Sequence, residues 1–151
     1  MHAVISAGAG FLIAVLWFDL MFDVQVRRGA EATAPPDALA SISAYYRRVT
    51  TEAAPMSRLI SAVMLAVLAA IIFEIVAGSG ARWIAWGSLA AAAGAITLAR
   101  VRTVPSAVRL GRAEDSPEVQ SRLARTVLGD HLFCLAAMML LLALQLAAGL
   151  T

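Results

Sequence analysis

The sequence predicts an all-α polytopic membrane protein, an antiparallel bundle of four transmembrane helices with a cytoplasmic amphipathic helix between spans 1 and 2. Three observations predict it. Of 151 residues, 61% are hydrophobic and 15% charged, against roughly 45–50% and about 25% in soluble domains. The mean hydropathy is +0.81. The apolar residues fall in four blocks, near 3–26, 57–77, 81–100 and 127–149, each matching the ~20 residues that cross about 30 Å of hydrocarbon. Four nearly uncharged helices in a soluble core would leave too little polar surface for a chain of this size. Composition thus excludes a disordered, collagen-like or disulfide-rich chain and argues against a soluble enzyme.

Span 1 begins at once. Met1-His2-Ala3-Val4-Ile5 lacks the basic segment of a cleaved signal peptide, so the N-terminus reads as retained. In 36–54, Leu39, Ile42, Tyr45, Tyr46 and Val49 recur at three- and four-residue spacing between Pro36 and Pro55, which predicts an amphipathic helix lying along the inner leaflet. Span 3 opens with Trp83 and Trp86, suited to the membrane interface. Ser116-Pro117-Glu118 reads as an N-cap, a proline at the first helical position and an acid in the first turn. From there one helix runs through span 4, projecting roughly 15 Å beyond the membrane at ~1.5 Å per residue. Small residues at four-residue spacing, Gly10/Ala14, Ala62/Ala66/Ala70, Gly87/Ala91 and Ala90/Gly94, predict close helix contacts. No repeat or linker divides the chain, so residues 1–151 read as one domain.

The twelve basic residues are all Arg. Eleven flank or occupy the connections between spans 1 and 2 (Arg27, Arg28, Arg47, Arg48, Arg58) and between spans 3 and 4 (Arg100, Arg102, Arg109, Arg112, Arg122, Arg125); only Arg82 lies between spans 2 and 3. That asymmetry predicts a bacterial inner-membrane protein with both long loops cytoplasmic and both termini periplasmic. A net charge of +2 without an aromatic-interleaved basic patch gives no sign of a nucleic-acid partner.

Charged groups at membrane depth are the functional candidates. The uncharged run Leu59–Phe73 covers only about 22 Å as a helix, so Glu74 belongs to span 2, at a depth similar to that of Gln145. Either Glu74 is an intramembrane functional acid, or it snorkels outward or pairs with Arg82. Asp19 and Asp23 share one helical face; they either perturb each other's titration or sit among headgroup arginines. Asp130 and His131 open the apolar part of span 4 at the same end, with Arg100 level with them. Asp19, Asp23, Arg100, Asp130 and His131 are therefore expected to converge, because unpaired charge in a bundle is expensive. The cluster either clamps the bundle, through pairs such as Asp130–Arg100 or Asp19–Arg125, or lines a substrate pocket. His131 and Cys134, three residues apart, are weak candidates to hold haem or a metal, and no metal site is predicted. GxGxxG, GxxxxGK[ST] and HExxH motifs are absent.

The layout resembles the small four-helix bacterial membrane proteins of the anthrone-oxygenase-like domain of unknown function. The resemblance rests on Glu52-Ala53-Ala54-Pro55 before span 2, on the segment Arg102-Thr103-Val104-Pro105-Ser106-Ala107-Val108-Arg109-Leu110 after span 3, and on the polar turn Arg125 to His131 entering span 4. It covers nearly the whole chain and implies the four-helix fold. Asparagines after span 3 and a tryptophan before span 4, associated with that group, are absent here, so its oxygenase chemistry does not carry over with the fold.

Function then divides three ways. The first expectation is an accessory or interaction subunit, partnered by the bilayer and by a larger membrane complex or further copies of itself. The second is an oxidoreductase or oxygenase-like enzyme acting on a lipophilic or quinone-like substrate at Asp19, Asp23, Asp130 and His131. Proton or ion translocation through Glu74 and the acids of the other end ranks third.

Overall fold

The computed structural model describes residues 1–27, 33–52, 54–78 and 81–149; Arg28 lies outside them. Among the described residues the structure is helical and contains no strand. The helices are α1 (His2–Asp23), extended by a 3-10 turn Val24–Arg27; α2 (Pro36–Arg47), extended by a π-helical turn Arg48–Glu52; α3 (Ala54–Ala77); α4 (Arg82–Leu98); α5 (Val104–Arg112), joined to α4 by a π-helical turn Ala99–Thr103; and α6 (Pro117–Ala148). Four helical segments are long and apolar enough to cross a membrane: His2–Arg27, Pro55–Ala77, Arg82–Arg112 and Pro117–Ala148.

The third segment outruns its expected end at 100 because the π turn absorbs the break before Pro105. A proline carries no N–H for the helical ladder, and the wider π turn accommodates that loss without ending the helix. The last helix starts at Ser116 as expected, but the serine side chain makes no capping bond; only its carbonyl accepts, from Gln120 N at 2.9 Å.

Two apolar cores stack along the bundle. In the first, Ile5, Ala9 and Leu12 of α1 meet Val67 and Ile71 of α3, Ala92 and Ala95 of α4, and Met138 and Leu141 of α6. The second joins Leu20 and Val26 to Leu39, Ile42 and Tyr46 of α2, Ala107 and Leu110 of α5, and Ala124 and Val127 of α6. The apolar face of α2 is therefore buried against α5 and α6. The face expected to rest on the leaflet is packed against protein instead. The part of α6 expected to project beyond the membrane supplies Ala124 and Val127 to this second core.

The small-residue stripes hold only in part: Ala70 is buried in the first core and a Cβ at Gly87 would lie 3.3 Å from the Leu144 side chain. Ala62, Ala66, Ala90 and Gly94 are exposed, and space is open around Gly10. A closer approach occurs at Gly8, where a Cβ would collide with the Val67 side chain. Spacing alone could not show this, because an Ala-rich helix presents small residues on every face. Gly8→Ala is expected to destabilise by about 1–3 kcal/mol through overpacking. Val67→Ala in that background should recover part of the loss; thermal melts of the two single variants and the double variant measure the coupling.

Candidate functional site

At one end of the bundle, five side chains from three helices meet in two hydrogen-bonded sets, His131–Asp23–Tyr46 and Asp19–Tyr45. His131 of α6 donates Nδ1–H to Asp23 Oδ2 at 2.6 Å. The other oxygen of Asp23 accepts from the Tyr46 hydroxyl at 2.5 Å. Asp19, one turn before Asp23 on α1, accepts from the Tyr45 hydroxyl at 2.5 Å, and its Oδ2 stands 3.9 Å from His131 Nε2. Asp23 is fully buried and His131 is 8% exposed. The four-residue spacing of the acids puts both on the face turned to α6, while α2 lays its two tyrosines over them.

Tyr45 stacks on Phe22 with ring centroids 4.0 Å apart and planes 8° from parallel, and meets Tyr46 edge-on at 5.3 Å. Burial pushes both phenols above the usual tyrosine range, and the nearby carboxylates push them further in the same direction. The hydroxyls thus stay protonated and serve as donors.

Asp130 belongs to a separate grip. Its fully buried carboxylate takes Arg102 Nε at 3.0 Å, a second bond from Arg102 Nη2, and the Thr103 hydroxyl at 3.0 Å. Arg102 and Thr103 are consecutive residues of the π turn. At about 4.4 residues per turn, a π helix brings neighbours closer in azimuth than an α helix does, so both reach one carboxylate.

Of the five residues expected to converge, Asp19, Asp23 and His131 meet directly and Asp130 adjoins them in sequence. Arg100 does not join: it is exposed, and Arg102 holds Asp130. A regular helix from span 3 puts Arg100 level with Asp130, whereas the π turn carries the grip two residues further on. Asp19 takes its hydrogen bond from Tyr45, where Arg125 was expected. Cys134 does not share a site with His131, since its buried thiol donates to Ala95 O at 3.7 Å. Among the described residues, no three His, Cys, Asp or Glu side chains are grouped to hold a metal ion.

Tyr45 and Tyr46 were read only as members of an apolar stripe. Their hydroxyls were the missed signal: two adjacent phenols on a covering helix need acceptors when buried, and the unpaired acids of α1 are those acceptors.

The other end carries a second, smaller polar group. Glu74 is 3% exposed; it neither snorkels outward nor pairs with Arg82, which is exposed. His2 Nδ1–H donates to Gln145 Oε1 at 2.8 Å and lies 3.2 Å from Glu74 Oε1, which accepts no well-aligned bond. Gln145 Nε2 donates to the Ser88 hydroxyl at 3.0 Å. Four helices thus each contribute one polar side chain here. The place of His2 beside Glu74 was not foreseen.

Set against protein-family models, curated proteins and solved structures, the chain matches none of them.

Proposed function

We propose that this chain is a membrane enzyme whose Asp19–His131–Asp23 group transfers protons at a planar, lipid-soluble substrate bearing an ionisable hydroxyl, of phenol or hydroquinone type. The observation that carries this reading is the 2.6 Å bond from His131 Nδ1–H to buried Asp23. A carboxylate on Nδ1 fixes the ring's tautomer and leaves Nε2 as the proton acceptor. Asp19, 3.9 Å from Nε2, adds negative charge that favours the imidazolium once it forms. The Phe22–Tyr45 stack beside Asp19 offers an aromatic surface to an incoming ring.

The two roles the acids could play separate by residue. Asp130, gripped by an arginine and a threonine, is the clamp. Asp19 and Asp23 take their hydrogen bonds from tyrosine and histidine, groups that can exchange protons. Translocation is less well supported: a cluster of buried hydrophobic side chains, Ile5, Ala9, Leu12, Ile71 and Leu141 among them, lies between the two polar groups.

The arginine asymmetry and the end-to-end pairing of α1 with α6, His2 with Gln145 and Asp23 with His131, support an antiparallel bundle. They also support an inner-membrane location with the His131 end, α2 and both long connections cytoplasmic and the termini periplasmic.

The test uses 1-naphthol, an aromatic hydroxyl compound whose anion absorbs differently from the neutral form. The protein in lipid nanodiscs should bind it and ionise the bound fraction at neutral pH, and His131→Gln should keep binding but lose ionisation. Naphthol that stays neutral on the wild-type protein, or ionisation that survives in His131→Gln, overturns the reading. A protein inert to naphthol that copurifies with a larger complex would be an accessory subunit instead.

A further inference from the structure

A cleft of about 910 Å³ opens between α2 and the turn joining α5 to α6, on the side of α2 facing away from Tyr45 and Asp19. One wall is apolar, formed by Pro36, Leu39, Ala40 and Pro117. Gln120, also in the lining, is 5% exposed. Its Oε1 accepts from the Ser43 hydroxyl at 3.4 Å, while its Nε2 has no acceptor among the described residues. A buried N–H without an acceptor is a standing cost that an oxygen-bearing ligand would remove.

Charge in the cleft favours an anion. Arg47 lines it, and its Nε donates to Gly111 O at 3.2 Å, the one hydrogen bond its side chain makes among the described residues. Asp115, the one acid among the described lining residues, is paired with Arg109 through two 2.7 Å bonds. That pairing holds the Asp115 carboxyl below the usual carboxylate range, so it stays an ion-pair partner and offers no proton to a ligand.

We propose that this cleft binds a small amphipathic carboxylate, with its hydrocarbon tail along Pro36, Leu39, Ala40 and Pro117 and its carboxylate at Arg47 and Gln120. A bare inorganic anion would leave the apolar wall uncovered. A neutral lipid would leave Arg47 and the Gln120 amide without a charged acceptor. The cleft shares no residue with the Asp19–His131–Asp23 group, so the two readings stand or fall separately.

The probe is octanoate, titrated into the full chain in nanodiscs and followed by thermal melting and isothermal calorimetry, with octanol and inorganic phosphate as comparison ligands. Octanoate should bind saturably and raise the melting temperature. Gln120→Leu should weaken binding about tenfold, the weight of one charge-assisted hydrogen bond. Ala40→Trp should block the apolar wall and abolish binding; Ala40 is exposed, so this variant keeps the fold. The proposal is overturned if octanol or phosphate binds as tightly as octanoate, if octanoate does not bind, or if it binds Ala40→Trp or Gln120→Leu as it does the wild type.

Discussion

Gly111→Ala is expected to lower stability by about 1–3 kcal/mol and to cripple the Asp19–His131–Asp23 site without touching any of its residues. A Cβ at position 111 would lie 2.8 Å from Arg47 N and 3.0 Å from Arg47 Cα and the Tyr46 carbonyl carbon. These are backbone atoms, which cannot rotate away as a side chain can. The end of α2 must therefore back off from α5, and Tyr45 and Tyr46 move with it, away from the acids they serve. The comparison is internal: Gly94→Ala and Gly129→Ala meet nothing within 4 Å and should be neutral or gain up to about 1 kcal/mol of helix propensity. Melting curves of the three variants in one detergent check the ranking. A Gly111→Ala protein that melts with the wild type would show that the α2–α5 contact is looser than described.

Asp23→Asn is the second large effect, and it acts on chemistry rather than on folding. The amide keeps the carboxylate's shape, and its oxygen can still accept from Tyr46. Turned to His131, however, its NH2 faces a ring N–H donor, and the imidazole is driven to its other tautomer, with Nε2 protonated. A base in the wrong tautomer cannot take a proton. The expected loss in the rate of proton transfer to bound substrate is about 10²–10⁴-fold, the usual share of general base catalysis, with a near-wild-type melting temperature. Asp19→Asn, whose acid stands 3.9 Å from Nε2 and makes no hydrogen bond to the ring, should lose much less. Equal losses in the two variants would argue for shared bulk electrostatics over an oriented pair. A folded yield that collapses in Asp23→Asn would make Asp23 a clamp.

How much of this was legible in advance can be judged residue by residue. The four helices long and apolar enough to cross a membrane, with the long helix from Pro117 among them, were readable because composition and length decide them. The meeting of Asp19, Asp23 and His131 was readable because a common end of the bundle and a common helical face need only periodicity. Arg102 in place of Arg100 was not readable, since a π turn shifts the register of everything after it and leaves no trace in the pattern of apolar residues. Gly8 and Gly111 were equally hidden: which small residue admits a neighbour depends on how two helices cross, which neither sequence states. His2 was readable as a position but not as a partner, because its place beside Glu74 depends on how far the first turn of α1 enters the bundle.

The paired bonds between α1 and α6 have a mechanical consequence. His2–Gln145 and Asp23–His131 pin both ends of α1 to α6, the first near the C-terminal end of α6 and the second near its middle, as in a parallelogram linkage. Such a linkage can shear, but neither rod can swing open like a gate while both pins hold. Any motion that widens the gap at one end must first break its own pin or strain the other. Breaking either hydrogen bond, by protonating an acid or by a ligand competing for a donor, would therefore be felt at the opposite end of the bundle as freed rotation.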